Sequence, residues 1–358
     1  MKISRKNAGF LILIIGLFLM TSSAEIKEKK EQQPHPRSGT AIIMTGAAAR
    51  LPQEAALLEA LYNRGLLKNV VFISGVSSGA LNAVMLNGIL SGKMTWSEYK
   101  EIIFNIKNSD IFIQEGKKLP VNTDPARKFI TNVVEGKLHY KKMGDLPFCT
   151  AISFTNIKKI DLKKSVYRMC SRKINAETDT TLSVADVLMA STSFPIAFPP
   201  VRIKNVKTIP DDEYIDGGVG EDHVPFHALF DFERHRGYEV EKIYVISRKS
   251  DSIPKVSEEL KILGLNDRGM FDRMGISLDN MLKRGIIKRL KEFSVEAPDM
   301  VPRTFIWIPD FDEEFLMFNF EKLREQYEVT TNWAKTHDPL PLAEFLLPYL
   351  IKEKRRTR

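Results

Sequence analysis

The chain of 358 residues has only two cysteines, and it lacks several features that would define a function class. No basic stripe interleaved with aromatic residues is present, so the sequence does not indicate nucleic-acid binding. No internal repeat is visible either. Hydrophobic residues make up 43% of the chain and charged residues 27%, a balance that excludes a disordered chain and a multi-span membrane protein. The length fits one large domain or two modest ones, because single cores stop growing at roughly 250 to 300 residues.

The first 24 residues have the layout of a signal peptide. Lys2, Arg5 and Lys6 precede an apolar run over residues 8–20, and small residues lead to Ala24. The run is shorter than the about 20 residues that a spanning helix needs. We therefore expect an exported protein, periplasmic or secreted, that is cleaved near Ala24, with an N-terminal membrane anchor as the alternative. No cysteine near this point marks a lipoprotein, and cleavage would lower the formal net charge from +8 to +5.

The remaining chain divides by its patterning. Residues 25–37 are charged and polar with no apolar period, as in a solvated spacer. From residue 38, strand-like apolar runs alternate with helical patterns, which predicts an α/β fold with a parallel sheet. The first four predicted elements are a strand over 40–44, a helix over 53–64, a strand over 69–74 and a helix over 77–90. We predict a catalytic domain over residues 38–250 and a C-terminal helical extension over residues 251–358 that packs on it.

The two cysteines lie on neighbouring predicted strands, over residues 148–155 and 164–170. A turn centred on Lys159 and Ile160 would set Cys149 directly opposite Cys170, and export would let a disulfide persist. A slip of one residue in register abolishes this pairing. The alternative is two free cysteines that serve as small buried hydrophobic residues.

Gly75-Val76-Ser77-Ser78-Gly79 has the spacing of a nucleophile elbow, a sharp turn between a strand and a helix. Gly75 and Gly79 fit this turn because it brings them close together, where side chains would collide. The exposed hydroxyl of Ser77 would stand at the N-terminus of the next helix, whose N–H groups favour a developing anion. A buried-strand pattern before the motif and a helical pattern after it predict that Ser77 is a nucleophile.

A serine nucleophile needs a base, and the sequence offers two. His337 is the only histidine late enough for the Ser, Asp, His order of many hydrolases, which leaves a Ser-His-Asp esterase open. The other base is Asp216, at the end of a predicted strand and followed by Gly217 and Gly218, which would let the carboxylate approach another loop closely. Alone, Asp-Gly-Gly is more typical of a turn, so this motif gains meaning only beside Ser77.

Together these residues resemble the patatin-like phospholipase family. The resemblance covers residues 40–247, through the turn at 42–50, the elbow, the segment from 190 to 200 and the Asp216 motif. It implies a three-layer α/β/α fold with a mainly parallel sheet and a Ser77–Asp216 dyad that works without a histidine. It also implies a lipid ester substrate, with a membrane surface as a possible partner, and no metal or organic cofactor.

The chain departs from the family pattern at the oxyanion loop. The family usually reads Gly-Gly-Gly-x-Arg-Gly, whereas this chain reads Gly46-Ala47-Ala48-Ala49-Arg50-Leu51. The resemblance assigns Gly46, Ala47, Ala48 and Arg50 to the oxyanion site, where alanine N–H groups can donate as well as those of glycine. An alanine at positive φ costs roughly 1 to 2 kcal/mol, so strain at both Ala47 and Ala48 would cost about 2 to 4 kcal/mol. A displaced loop would leave a lipid-binding protein with a weakened or inactive site, which is the other alternative.

Two later segments have the composition of membrane-contacting elements. Residues 281–290 mix basic and apolar side chains at helical spacing, and four phenylalanines lie between 311 and 320. Such segments more often pack against a core, so we expect packing, with membrane contact as the alternative.

Overall fold

A single sheet organises the computed structural model of the chain. The structure describes residues 36–115, 119–158, 165–220, 222–249 and 283–356. The predicted signal peptide and almost all of the spacer lie outside the described residues, and export stays a prediction. The described residues from Arg37 onwards belong to one compact unit.

Within the described residues the sheet has nine strands. They are β1 (Thr40–Met44), β2 (Val70–Val76), β3 (Cys149–Asn156), β4 (Val166–Cys170), β5 (Val201–Ile203), β6 (Asp212–Asp216), β7 (Lys242–Ile246), β8 (Thr304–Trp307) and β9 (Leu340–Pro341). The sheet order is β5-β6-β3-β2-β1-β7-β8-β9, and β4 also pairs with β3. The five central strands, β3, β2, β1, β7 and β8, are parallel. Strands β4, β5, β6 and β9 pair antiparallel at the margins.

Helices cover both faces of the sheet. They are α1 (Leu51–Asn63), α2 (Ser78–Leu90), α3 (Trp96–Asn105), α4 (Asn108–Ile111), α5 (Asp124–Thr131), α6 (Val184–Thr192), α7 (His227–Arg236), α8 (Lys283–Glu296), α9 (Leu323–Ala334) and α10 (Leu342–Arg356). Strand β1 is buried throughout, so its side chains alternate between two cores. Ile42 and Met44 pack with α1 and α2, whereas Ala41 and Ile43 pack with α7 and α8. The predicted three-layer α/β/α fold with a mainly parallel sheet is confirmed.

The pairing of β3 brings the ends of two distant strands together. Strand β4 pairs with residues 151–155 of β3, β2 with residues 149–153, and β6 with residues 154–156. Strand β4 pairs with residues of β3 that also pair with β2 or with β6. It must therefore occupy one edge of β3, and β2 and β6 must share the other edge. The two run towards each other there, β2 ending opposite Ser153 and β6 ending with Asp216 opposite Phe154. The residue after β2, Ser77, therefore meets the end of β6.

The C-terminal segment contributes more than the predicted helical extension. Strand β8 pairs with β7 in parallel, and β9 pairs with β8, so residues beyond 250 extend the central sheet. Helix α8 buries Ile286, Leu290 and Phe293 in the core, so the apolar face of the basic segment packs inward as expected. Among the described residues, no helix combines the length and apolarity that a membrane span requires.

The predicted register of the cysteine hairpin is wrong. Cys170 lies opposite Ala151, two residues beyond Cys149, so the cysteines do not form a directly opposed pair. Both are free and buried. Burial raises the pKa of the Cys149 thiol to about 12, which makes it unreactive. The structure therefore corresponds to the alternative of two small buried hydrophobic residues.

Candidate active site

Ser77 lies on a strained turn between β2 and α2. Its φ of 56° and ψ of −134° fall outside the conformations that a serine ordinarily adopts. The turn packs tightly, since a Cβ on Gly75 would lie 2.4 Å from the carbonyl oxygen of Gly79. A Cβ on Gly79 would lie 2.9 Å from the carbonyl oxygen of Met44. Both glycines are therefore required sterically, and the turn holds the Ser77 side chain at the carboxyl edge of the sheet.

Asp216 lies beside Ser77 and is only 5% exposed. Its carboxylate accepts a hydrogen bond from the Gly218 N–H at 2.8 Å, and the Ser77 hydroxyl lies close enough to act on the carboxylate as a hydrogen-bond donor. Burial raises the pKa of Asp216 to about 6, although both donors oppose the shift. Gly217 permits the close approach to β3, because a Cβ there would lie 2.6 Å from Ser153 Oγ. The structure thus brings together all six predicted residues of the elbow and the Asp216 loop.

The segment after α6 holds both chains in place. The Ser77 N–H donates to Ser191 Oγ at 2.9 Å, and that hydroxyl donates to the Ser153 carbonyl at 2.7 Å. The Asp216 N–H donates to the Ser193 carbonyl at 3.0 Å. Ser191 and Ser193 belong to the segment over residues 190–200 that carries the family resemblance. They therefore fix the backbone of Ser77 and of Asp216 relative to each other.

Two backbone donors line the cavity at the oxyanion loop, Ala48, which the resemblance assigned, and Ser78, which it did not. The Gly46 N–H donates to Glu54 at 2.7 Å, and the Ala47 N–H donates to Ser78 Oγ at 2.8 Å, so both groups are occupied. In the part of the chain that the structure describes, the N–H groups of Ala48 and Ser78 have no acceptor. Both residues line the cavity around Ser77. Sequence reasoning missed Ser78, although the residue after an elbow nucleophile commonly supplies such a donor.

The strain in this loop is smaller than the sequence predicted. Ala47 has a φ of −174°, which is ordinary extended backbone, and only Ala48 takes a positive φ, of 48°. One such alanine costs roughly 1 to 2 kcal/mol. Gly46, with a φ of 70°, cannot be replaced in the same way, because its Cβ would lie 2.4 Å from the Val76 carbonyl oxygen.

Arg50 does not line the cavity. Its guanidinium donates to the Phe315 carbonyl through Nε at 3.2 Å and a terminal nitrogen at 2.6 Å, and the residue is 1% exposed. The arginine therefore anchors the segment before α9 against the loop. The guanidinium therefore faces a backbone carbonyl, and the assignment of Arg50 to the oxyanion site stays a prediction.

A buried carboxylate holds the oxyanion loop from behind. Glu54 Oε1 accepts hydrogen bonds from the Thr45 N–H at 3.1 Å, the Thr45 hydroxyl at 3.0 Å and the Gly46 N–H at 2.7 Å. Its Oε2 accepts from the Asn82 amide at 3.2 Å, and Tyr99 donates to Asn82 in turn. Burial raises the pKa of Glu54. Helix α1 thus fixes the loop that carries Ala48 through one side chain.

Glu54→Ala is expected to lower the free energy of unfolding by about 2 to 4 kcal/mol, because the buried Gly46 N–H loses its acceptor and the Thr45 N–H keeps only the Ile246 carbonyl at 3.3 Å. Ester hydrolysis should fall by about tenfold or more, since a loop that shifts no longer aims the Ala48 N–H. Urea denaturation and initial rates check both effects. Glu101→Ala, at an exposed position on α3, is the control and should change stability by less than about 0.5 kcal/mol. Unchanged stability in Glu54→Ala would contradict this role.

A largely apolar cavity opens at Ser77 and Asp216, with a volume of about 1440 Å³ including its open mouth. Helices α2, α3 and α5 supply aliphatic and aromatic walls. These walls include Leu81, Met85, Ile102, Ile103, Ile106, Phe129 and Ile130. Phe194, Phe198 and Phe320 add aromatic surface from other elements. The cavity therefore has room for an apolar group beside the paired serine and carboxylate.

Two of the histidines have settings that the sequence could not show. His337 is exposed and stacks on Trp333 with ring centroids 4.3 Å apart, outside the cavity lining. His223, which the sequence gave no distinctive setting, lines the cavity. One point, the Cβ position on Gly218, lies 3.2 Å from both Asp216 Oδ1 and His223 Nδ1. No group of three or more His, Cys, Asp and Glu among the described residues could hold a metal ion.

A family model and two solved structures match the chain. The family model of patatin-like phospholipase matches residues 40–230, which is more than half of the chain. VipD from Legionella pneumophila is 12% identical over 84% of this chain and 67% of its own, with a TM-score of 0.38. The type III effector ExoU is 12% identical over 88% of this chain and 54% of its own, with a TM-score of 0.35, so the chain spans about half of ExoU. No curated protein matches in sequence. The chain belongs to the patatin-like phospholipase family, a family of lipid hydrolases.

Proposed function

We propose that this protein is a serine lipid acyl hydrolase in which Ser77 is the nucleophile and Asp216 the base. The observation that carries the proposal is that Ser77 lines the same largely apolar cavity as a buried carboxylate and lies close enough to Asp216 to lower its pKa. A carboxylate in such a setting is a better base than an exposed one, because burial raises its affinity for the proton.

Acylation begins when Ser77 Oγ attacks the carbonyl carbon of the ester and its proton passes to Asp216. The negative charge that develops on the carbonyl oxygen lies opposite the N–H groups of Ala48 and Ser78. The N-terminus of α2, at which Ser78 stands, adds a favourable partial charge. Collapse of the tetrahedral intermediate breaks the ester C–O bond, and Asp216 returns the proton to the leaving alcohol. An acyl group is then attached to Ser77.

Deacylation repeats the same transfers with water as the nucleophile. Asp216, again ionised, takes a proton from water as its oxygen attacks the acyl carbon, and the same two N–H groups face the new oxyanion. The bond to Ser77 Oγ then breaks, and Asp216 returns the proton to the serine. Two side chains suffice for both halves of the reaction because each proton that Asp216 accepts is given back within the same half.

The apolar walls support a lipid substrate. Burying an acyl chain against them yields about 0.8 kcal/mol for each methylene group removed from water. A substrate with a long chain therefore gains binding energy that a short ester cannot. Wild-type protein that binds lipid vesicles but releases no fatty acid would contradict the hydrolase and favour a lipid-binding protein.

The rate of ester hydrolysis is expected to depend on pH through Asp216. Only the ionised carboxylate can accept the Ser77 proton, and its pKa of about 6 places the change close to that pH. Below it, kcat/KM should fall by about tenfold per pH unit, and above it kcat/KM should be level. Initial rates on a soluble aryl ester between pH 4 and 9 would show this. A kcat/KM that stays constant down to pH 4 would contradict a raised pKa for Asp216 as the base.

A further inference from the structure

We infer that Arg168 and Asp222 form a positioning pair, which holds the loop after Asp216 so that its carboxylate can take the Ser77 proton. The inference rests on the proposed function and adds two residues to which the family resemblance did not point. Neither is among the residues that line the cavity, so the pair acts on the reaction through the Asp216 loop and does not contact the substrate.

The loop after Asp216 folds back on itself. The Gly218 N–H donates to the Asp216 carboxylate at 2.8 Å, and the Asp222 N–H donates to the Gly217 carbonyl at 3.3 Å. Asp216 and Asp222 are therefore the two ends of a short closed loop. A displacement of Asp222 pulls on Gly217, the residue directly after the base.

Arg168 holds the far end of this loop from β4. Its Nε donates to Asp222 Oδ2 at 3.1 Å, and a terminal nitrogen donates to Oδ1 at 3.0 Å, a paired contact that fixes the orientation of both groups. The Asp222 side chain is 1% exposed and that of Arg168 is 18% exposed. Burial raises the pKa of Asp222, but Arg168 lowers this pKa by more, so the carboxylate stays ionised. If either partner is removed, the loop is expected to move until water reaches the remaining charge.

Strand β3 connects this pair to the nucleophile. Arg168 lies directly opposite Ser153, and opposed residues of neighbouring strands point to the same face of the sheet. Gly217 packs on that face, because a Cβ there would lie 2.6 Å from Ser153 Oγ. The Ser153 carbonyl accepts the Ser191 hydroxyl, which accepts the Ser77 N–H. The loop of the base and the turn of the nucleophile are therefore fixed to the same point of β3.

Other titratable and charged side chains surround the pair. His227 Nδ1 lies 3.1 Å from the Arg168 terminal nitrogen and 3.8 Å from Asp222 Oδ1. The remaining neighbours act on Arg168 or bind His227, and they are Glu177, Asp231 on α7, and Arg289 and Glu296 on α8. A charge removed here also changes the electric field at Asp216. Because Arg168 and Asp222 carry charges of opposite sign, variants of the two separate this effect from a movement of the loop.

The test measures kcat/KM against pH on a soluble aryl ester for full-length Arg168→Gln and Asp222→Asn. Both variants should lower kcat about 10- to 100-fold and change KM by less than about threefold, because a base displaced by about 1 Å is misaligned. Both should also lower the pKa of the profile from about 6 towards 3.8, since a displaced loop admits water to Asp216. A field effect alone would move the two pKa values in opposite directions, and that result would overturn the inference.

A loss of stability alone would also overturn the inference. It would lower the amount of active protein equally at every pH and leave the pKa of the profile at about 6. Arg168→Lys keeps the charge but not the paired donors, so it decides the question if Arg168→Gln does not fold. This variant should lower kcat about 3- to 10-fold and shift the pKa in the same direction, whereas an unchanged kcat and pKa would overturn the inference.

Arg37→Gln is the matched control, because Arg37 forms an ion pair with Glu239 at 2.7 Å and is not part of the site. It should leave kcat and the pKa of the profile unchanged. A wild-type protein that hydrolyses no ester would overturn the proposed function and this inference with it. An active wild type whose Arg168 and Asp222 variants keep its kcat and pKa would overturn this inference alone.

Discussion

Ser77→Ala is expected to lower kcat/KM on lipid esters by about 10⁴-fold or more, because the acyl-enzyme can no longer form. The folded structure should persist, since the buried contacts of the elbow are made by Gly75, Gly79 and the backbone of Ser77. Fatty-acid release measures the rate. A fluorophosphonate probe, which bonds covalently to activated serines, should label the wild-type chain once and leave Ser77→Ala unlabelled in intact-mass spectra.

His337→Ala is the matched control for this prediction. His337 is exposed and stacked on Trp333, so its removal should leave the rate within about twofold of the wild-type value. A loss comparable to that of Ser77→Ala would instead favour the Ser-His-Asp esterase. His223→Ala tests the histidine that does line the cavity, and an effect well below that of Asp216→Asn is expected if Asp216 alone takes the serine proton.

The local features of the site could be predicted from the sequence because they depend on neighbours in the chain. The elbow has a strand before it and a helix after it, and glycines at fixed spacing, all of which the sequence shows directly. Strand β1 has its predicted bounds, and α2 begins one residue later than predicted. Periodicity and turn chemistry determine such features over a few residues, so no long-range contact is needed to find them.

The remaining features depend on contacts that no local pattern encodes. Ser77 and Asp216 meet because β6 pairs antiparallel with β3 on the same edge as β2, just beyond the point where β2 ends. Strand β9 is two residues long, which is too short for a period to be recognised. Two arginines show the limit most clearly. The family pattern pointed to Arg50, whereas the backbone carbonyl of Phe315 occupies its guanidinium and Arg248 forms part of the cavity wall.

Asp216→Asn is expected to change activity and stability in opposite directions. Activity should fall by about 10⁴-fold, because asparagine can accept the Ser77 hydrogen bond but cannot take the proton. The pKa of Asp216 is about 6 in the folded protein, against an ordinary value of 3.8. The folded state therefore binds more protons than the unfolded state between these values, and its stability falls as pH rises through this window. At pH 8 the buried charge costs up to about 3 kcal/mol, which the neutral amide avoids.

The difference in unfolding free energy between Asp216→Asn and the wild type should therefore depend on pH. Urea denaturation at pH 8 should show the variant more stable by about 1 to 3 kcal/mol, and the gain should shrink towards zero near about pH 3, where the wild-type carboxyl is largely neutral in both states. Other titrating groups cancel in this comparison because the two proteins share them. A variant that is less stable at pH 8, or whose gain is the same at both pH values, would show that Asp216 is held as an ordinary structural carboxylate. In that case the strained serine would have no buried base, and the two-residue mechanism would lose its physical basis.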